Sequence, residues 1–243
     1  MTEDAIPRRR FLVGAGAAGT AVAAALAPNL PQQAEAQTPP PPAAAVPPAI
    51  AEPDTLLTLT NTEAAFFTAA VDTMIPADEL TPSARECGVT VFIDRQLAGA
   101  WGGGAKMYRA GPFRKGTPTQ GYQLPLTPRE YFAAGIVATN AWTNKTRGKD
   151  FDRLSAKERE ETLKTLEQGK AELSNFDGKQ FFEALLTITM EGFFADPIYG
   201  GNRNKAGWRM VGYPGLPAVY STLIEEYRNK RYQVEPQSIA DFS

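Results

Sequence analysis

Residues 177–194 read DGKQFFEALLTITMEGFF. Phe181, Phe182, Leu185, Leu186, Thr189, Met190, Phe193 and Phe194 recur at the spacing of one helical face, and Asp177 stands where an N-cap belongs. A half-buried strand would alternate apolar with polar residues, and this stretch does not. The pattern predicts a helix with a broad apolar stripe. Such a stripe is stable only when other elements cover it.

The covering elements are legible on both sides. Upstream, Thr60-Asn-Thr-Glu63 has the spacing of a capping box, and Phe66, Phe67, Ala70, Val71, Met74 and Ile75 form a wide apolar face ended by Pro76. Val89, Phe92, Ile93, Gln96 and Leu97 suggest a short second helix that stops before Gly102-Gly103-Gly104. Thr127-Pro128-Arg-Glu130 combines an N-cap, proline at the first helical position and a capping glutamate, opening a helix to about Thr146. Ser155 and Glu158 repeat the device for a fourth helix with a charged, solvated face. Downstream, Val219, Tyr220, Leu223, Ile224 and Tyr227 predict a sixth helix starting at Pro217. No alternating run is long enough for a sheet of several strands. The fold class expected is mostly α: a single helical domain of about six helices with long aromatic and glycine-rich loops.

Two of those loops are unusual. Residues 111–127 read GPFRKGTPTQGYQLPLT, and residues 196–215 read DPIYGGNRNKAGWRMVGYPG. Loops of this length without secondary structure are uncommon in compact domains. They are also too apolar to be solvated, because Phe113, Tyr122, Leu124, Ile198, Tyr199, Trp208 and Tyr213 need cover. Either the loops fold back on the domain, or they dock on another protein, where Tyr, Trp and Arg are favoured anchors. Arg114, Arg203 and Arg209 lie among the aromatics, and the two arrangements can coexist. A partner interface is therefore expected at Phe113, Arg114, Tyr122, Tyr199, Arg203, Trp208, Arg209 and Tyr213.

The amino terminus poses a separate question. Gly14-Ala-Gly16-Ala-Ala-Gly19 has the form of a dinucleotide-binding loop. That loop requires a buried strand before it and a second strand after it. Arg8, Arg9 and Arg10 precede it instead, and Pro28 and Pro31 interrupt the chain where the second strand would have to form. An export signal accounts for the same residues: a charged start, a short apolar stretch from Phe11 to Ala27, and small residues Ala34 and Ala36 at a cleavage site. Arg8, Arg9, Phe11 and Leu12 fit the twin-arginine form of such signals. The organisation expected is a signal over 1–36, a proline- and alanine-rich linker over 37–55, the helical domain over 56–230 and a tail over 231–243.

Composition narrows the chemistry. The net charge is −2, and it stays −2 without the first 36 residues, which hold three arginines and three acids. No basic stripe is present to neutralise phosphates, so nucleic acid is not an expected partner. The chain has no histidine and one cysteine, Cys87. This excludes imidazole acid–base catalysis, ordinary zinc sites, iron–sulfur clusters and covalent haem attachment. A carboxylate pair can hydrolyse glycosides without histidine, and Glu191 and Asp196 bracket the end of the fifth helix. Five positions do not place them on one face, however, and Asp196-Pro197 is more simply a helix stop.

The run EAAFFTAAVDTMIPADELTPSARECGVTVFIDRQLAGAWGGGAKMYRAGPF, then QGYQLPLTP, then EGFFADPIYGGNRNKAGWRMVGYPG resembles the gluconate 2-dehydrogenase subunit 3 family over about residues 56–230. The resemblance implies the small, gamma subunit of a membrane-bound sugar or polyol dehydrogenase of Gram-negative bacteria. In such complexes a large subunit of the glucose-methanol-choline type oxidises the sugar at FAD, and a multihaem cytochrome c subunit accepts the electrons and attaches the complex to the membrane. The small subunit binds the flavoprotein, supports its maturation and carries it to the twin-arginine translocase. The expected location is periplasmic, at the inner membrane, with no cofactor in this chain and no catalytic residue assigned. Cys87, an odd cysteine in an exported chain, is open to a disulfide with the large subunit or to a buried place at a helix-to-loop junction. The alternatives from other classes are a self-sufficient carbohydrate enzyme using carboxylates and a ligand-binding protein.

Overall fold

The computed structural model describes residues 55–114, 116–117, 120–216 and 219–242, all within one compact unit. The expected export residues Arg8, Arg9, Phe11, Leu12, Ala34 and Ala36, and the linker up to residue 54, lie outside the described residues.

Six α-helices make up the frame: α1 (Asn61–Met74), α2 (Val89–Ala98), α3 (Pro128–Arg147), α4 (Ala156–Glu167), α5 (Gly178–Phe194) and α6 (Ala206–Val211). There is no strand among the described residues, only one isolated bridge between Gly215 and Gln237. The starts of α1, α3 and α4 agree with the sequence reading. Thr60, Thr127 and Ser155 each accept the backbone N–H of Glu63, Glu130 or Glu158, and each glutamate accepts the cap residue's N–H in return. Two otherwise orphaned donors are satisfied at each of these ends. Asp177 caps α5 by accepting from Gln180 N.

α5 lies at the centre, against α4 on one side and α2 on the other. Phe181, Leu185, Ile188 and Phe193 are its buried large residues, and they meet Phe66, Phe67, Phe132 and Phe151 in one core. The aromatic rings tile this core at tilted or edge geometries: Phe66 and Phe151 are tilted with centroids 4.7 Å apart, and Phe67 and Phe132 are tilted at 5.7 Å. Gly135 of α3 makes room for the Phe181 ring, since a Cβ there would come within 2.3 Å of it.

Two features depart from the sequence reading. Leu186 and Met190 of the α5 stripe are exposed, and Ile188 is buried in their stead, because neighbouring helices cover only part of a stripe that wide. The helix expected from Pro217 is a single 3-10 turn, Ser221–Leu223, while the true sixth helix, α6, forms inside the loop read as lacking structure. Val219 and Ile224 are exposed, so a helix there would have no core to bury its apolar face against.

Candidate partner-binding surface

A glycine-rich turn over residues 99–110 leads from the C-terminal end of α2 to the first loop. Arg129 of α3 anchors its start: the guanidinium donates to Leu97 O through Nε at 3.1 Å and Nη2 at 3.0 Å, and Arg129 N donates to Gly102 O at 3.1 Å. The far end is held by Gln180 of α5, whose Nε2 donates to Gly121 O at 2.9 Å, and by Tyr122. The Tyr122 ring stacks on the buried Tyr131 ring at 3.9 Å, 6° from parallel. Burial pushes both phenols above their usual pKa, with Glu130 adding to the shift at Tyr122 and Asp177 at Tyr131. Between these anchors Phe113 and Arg114 are exposed, as is Leu124 just beyond them, and so are Trp101 and Tyr108 just before the stretch that the sequence singled out.

Beneath this loop lies a cleft of about 480 Å³. Its apolar walls are Trp101, Met107, Tyr122, Pro128 and Phe132, with Ala184 and Ile188 from α5, and among the described residues Glu183 and Glu191 are its charged lining. Partial desolvation raises the Glu191 carboxyl pKa from its ordinary value, although the residue as a whole is exposed. Asp196, the suggested partner of Glu191, is not among the residues that line the cleft. Its carboxylate is taken up by backbone, accepting from Ile198 N at 3.0 Å and Ile239 N at 2.9 Å. The two acids are therefore not brought together as a catalytic pair.

The second loop, 196–215, turns back over the end of α5 in three short helical steps: 3-10 turns Pro197–Tyr199 and Arg203–Lys205, then α6. Its inner face is tightly closed. Asn202, fully buried, donates to Ala195 O at 2.8 Å and accepts Gly207 N at 2.9 Å. Gly201 passes so near α5 that a Cβ would lie 2.1 Å from Gly192 O. Trp208 is expected at the partner surface but is instead packed inside, 6% exposed, with its indole N–H donating to Phe194 O at 2.8 Å. A large aromatic is the residue best suited to pinning a loop to its own domain. Arg203 is half-buried, with its backbone N–H donating to Cys87 O at 3.0 Å, and Arg209 pairs with Glu235 of the tail.

The outer face is apolar and uncovered. Tyr199 is 50% exposed and Tyr213 43%, and Ile198, Met210 and Val211 join them. The tail straps the same loop: Lys205 Nζ donates to Pro236 O at 2.8 Å and to Asp241 at 2.6 Å, and Gln237 exchanges hydrogen bonds with Pro214 and Leu216. The second loop runs along α2, with Arg203 N donating to Cys87 O just before the helix and Arg95 Nη1 donating to Ile198 O at 3.5 Å nearer its end.

Cys87 is 1% exposed, and its thiol lies 3.7 Å from Pro82 O. Burial pushes its pKa up, with Glu86 adding to the shift. In the isolated chain Cys87 is a free, buried thiol just before α2. A disulfide to another chain would require this part of the core to open.

Sequence reading missed Trp101 and Asp94. Trp101 had a signal, since a tryptophan between the end of a helix and three consecutive glycines has no helical face to occupy. Asp94 is fully buried, and its two oxygens accept from three backbone amides at 57–59. An acid on an otherwise apolar helix face was its only trace.

Among the described residues no helix is long and apolar enough to cross a membrane, and no group of three or more acids and thiols could hold a metal ion. Comparison with curated proteins and with solved structures gives no match. The family model described as Gluconate 2-dehydrogenase subunit 3 matches residues 61–215, which take in α1 through α6 and both loops. The chain thus belongs to the gluconate 2-dehydrogenase subunit 3 family.

Proposed function

We propose that this chain is the non-catalytic small subunit of a dehydrogenase complex that oxidises gluconate or a related sugar or polyol. Its role is to bind the FAD-bearing large subunit, assist its maturation and carry it through the twin-arginine pathway to the periplasmic side of the inner membrane. Electrons leave through a multihaem cytochrome c subunit, which also attaches the complex to the membrane. Family membership supports a place in a dehydrogenase complex. FAD and haem belong to the partner chains in this reading, in keeping with a sequence that has no histidine and a single cysteine.

The observation that carries the reading is the second loop. Its inner face is fixed by Asn202 and Trp208, while its outer face presents Tyr199, Val211 and Tyr213 to solvent. A loop fixed in one conformation with aromatics outward has little entropy left to lose on docking, which favours a protein interface. The reading is tested in the native host by replacing Arg8 and Arg9 with lysine. Both this chain and the flavoprotein should then stay in the cytoplasm; arrival of the flavoprotein in the periplasm would contradict the export role.

A further inference from the structure

We infer that the cleft beneath the first loop receives an arginine side chain of the partner subunit, with Glu191 as its counter-charge and Trp101 as the surface on which it stacks. The inference rests on the subunit reading above.

The cleft's charge is one-sided. Among the described residues Glu183 and Glu191 line it, no lysine or arginine does, and neither carboxylate has an ion-pair partner. Both acids are exposed in the free chain, and a partner that closes the cleft would strip hydration that only a cation or a donor can replace. The raised pKa of Glu191 points the same way.

Most of the neutral polar groups are already engaged, Thr187 Oγ1 donating to Glu183 O at 2.8 Å, while the buried Tyr122 hydroxyl has no partner among the described residues. Gln180 Nε2 donates to Gly121 O, and Gln120 Oε1 accepts from Thr117 N at 2.8 Å, so both amides serve to hold the loop. A sugar or other polyol would need several donors and acceptors fixed in the wall, and one phenol, Tyr122, and the two carboxylates are what remain. An anion would meet two like charges. A guanidinium satisfies the site on both counts, because it pairs with a carboxylate through a planar fork and stacks on an indole face. Trp101 is 45% exposed in the free chain, and its burial by an incoming side chain would supply the apolar part of the contact.

The walls are also set before anything binds. Arg129 fixes the turn after α2, Tyr122 is stacked on Tyr131, and Gln180 ties the far end to α5. A site whose walls do not move on binding keeps the ordering cost small.

The test uses the full chain with its flavin-bearing subunit, measuring the dissociation constant across a range of NaCl for wild type, Glu191→Gln and Trp101→Ala. Glu160→Gln, at an exposed acid paired with Lys164, is the control. Glu191→Gln should weaken the complex by about 30-fold or more and flatten the salt dependence. Trp101→Ala should weaken it by about tenfold or more, and the control should change neither. Unfolding curves verify that each variant is folded. If Glu191→Gln binds with wild-type affinity and slope while the wild-type complex forms, the cleft assignment is overturned and the subunit reading stands. If the wild-type chain binds no flavoprotein, the subunit reading fails and takes this inference with it. A saturable change in tryptophan fluorescence of the isolated chain with gluconate, lost in Glu191→Gln, would instead make the cleft a small-molecule site.

Discussion

Asp94 Oδ2 accepts the backbone N–H of Leu57 at 2.6 Å, tying the start of the described chain to α2 across 37 positions of sequence. Oδ1 accepts from Thr58 at 3.0 Å and Leu59 at 2.9 Å, so one buried carboxylate serves three consecutive amides. Replacing it leaves those donors without their acceptor. Asp94→Ala should cost about 3 kcal/mol, measured by urea unfolding. Amide exchange at 57–59 should rise well above that of α1. Unchanged protection of those amides would show that the anchor is not Asp94.

Trp208 and Tyr199 lie in one loop and should behave oppositely. Trp208→Ala removes a buried aromatic and its hydrogen bond, and should destabilise the isolated chain by about 3–5 kcal/mol. Tyr199→Ala removes a half-exposed ring and should change stability by no more than about 0.5 kcal/mol, while weakening the complex by about 2 kcal/mol if it is an anchor. Calorimetry of the isolated chain and a binding measurement on the complex separate the two effects.

Glu191 should make stability depend on pH. Its folded-state pKa is raised above the unfolded value of about 4.3, so the folded state favours the protonated form. The fold therefore loses stability as pH rises through that window and regains it as pH falls. Glu191→Gln mimics the protonated form, and its melting temperature should exceed that of wild type at pH 7 and converge with it below about pH 4. A variant less stable than wild type at pH 7 would contradict the desolvated environment.

Gly135 lies against the Phe181 ring, and a methyl group there has no room. Gly135→Ala should destabilise by about 1–3 kcal/mol through overpacking, even though alanine is the better helix former. A gain in stability would mean that the ring can move aside.

How far the sequence anticipates this structure depends on how local the determining physics is. The capping boxes at Thr60, Thr127 and Ser155 are decided within four residues, and each is found where its spacing places it. The α5 stripe is also local, but which half of it is buried depends on where α2 and α4 sit, so Ile188 replaces Leu186 and Met190 in the core. The helix expected from Pro217 has a suitable pattern and no surface to pack on. α6 has only six residues and little pattern, yet it forms because Trp208 and Asn202 hold it on the end of α5. The loop aromatics divide in the same way: Tyr199 and Tyr213 face out and Trp208 faces in. Composition cannot tell them apart, because only the position of Phe194 O decides.

The central claim, that this chain works as the small subunit of a flavin-dependent dehydrogenase, is tested most directly by purifying it from the native host under mild conditions and recording the absorption spectrum of what accompanies it. The account predicts a stoichiometric complex with a larger chain carrying the bands of bound FAD. A colourless monomer, stable alone and never accompanied by a flavin-containing chain, would contradict it.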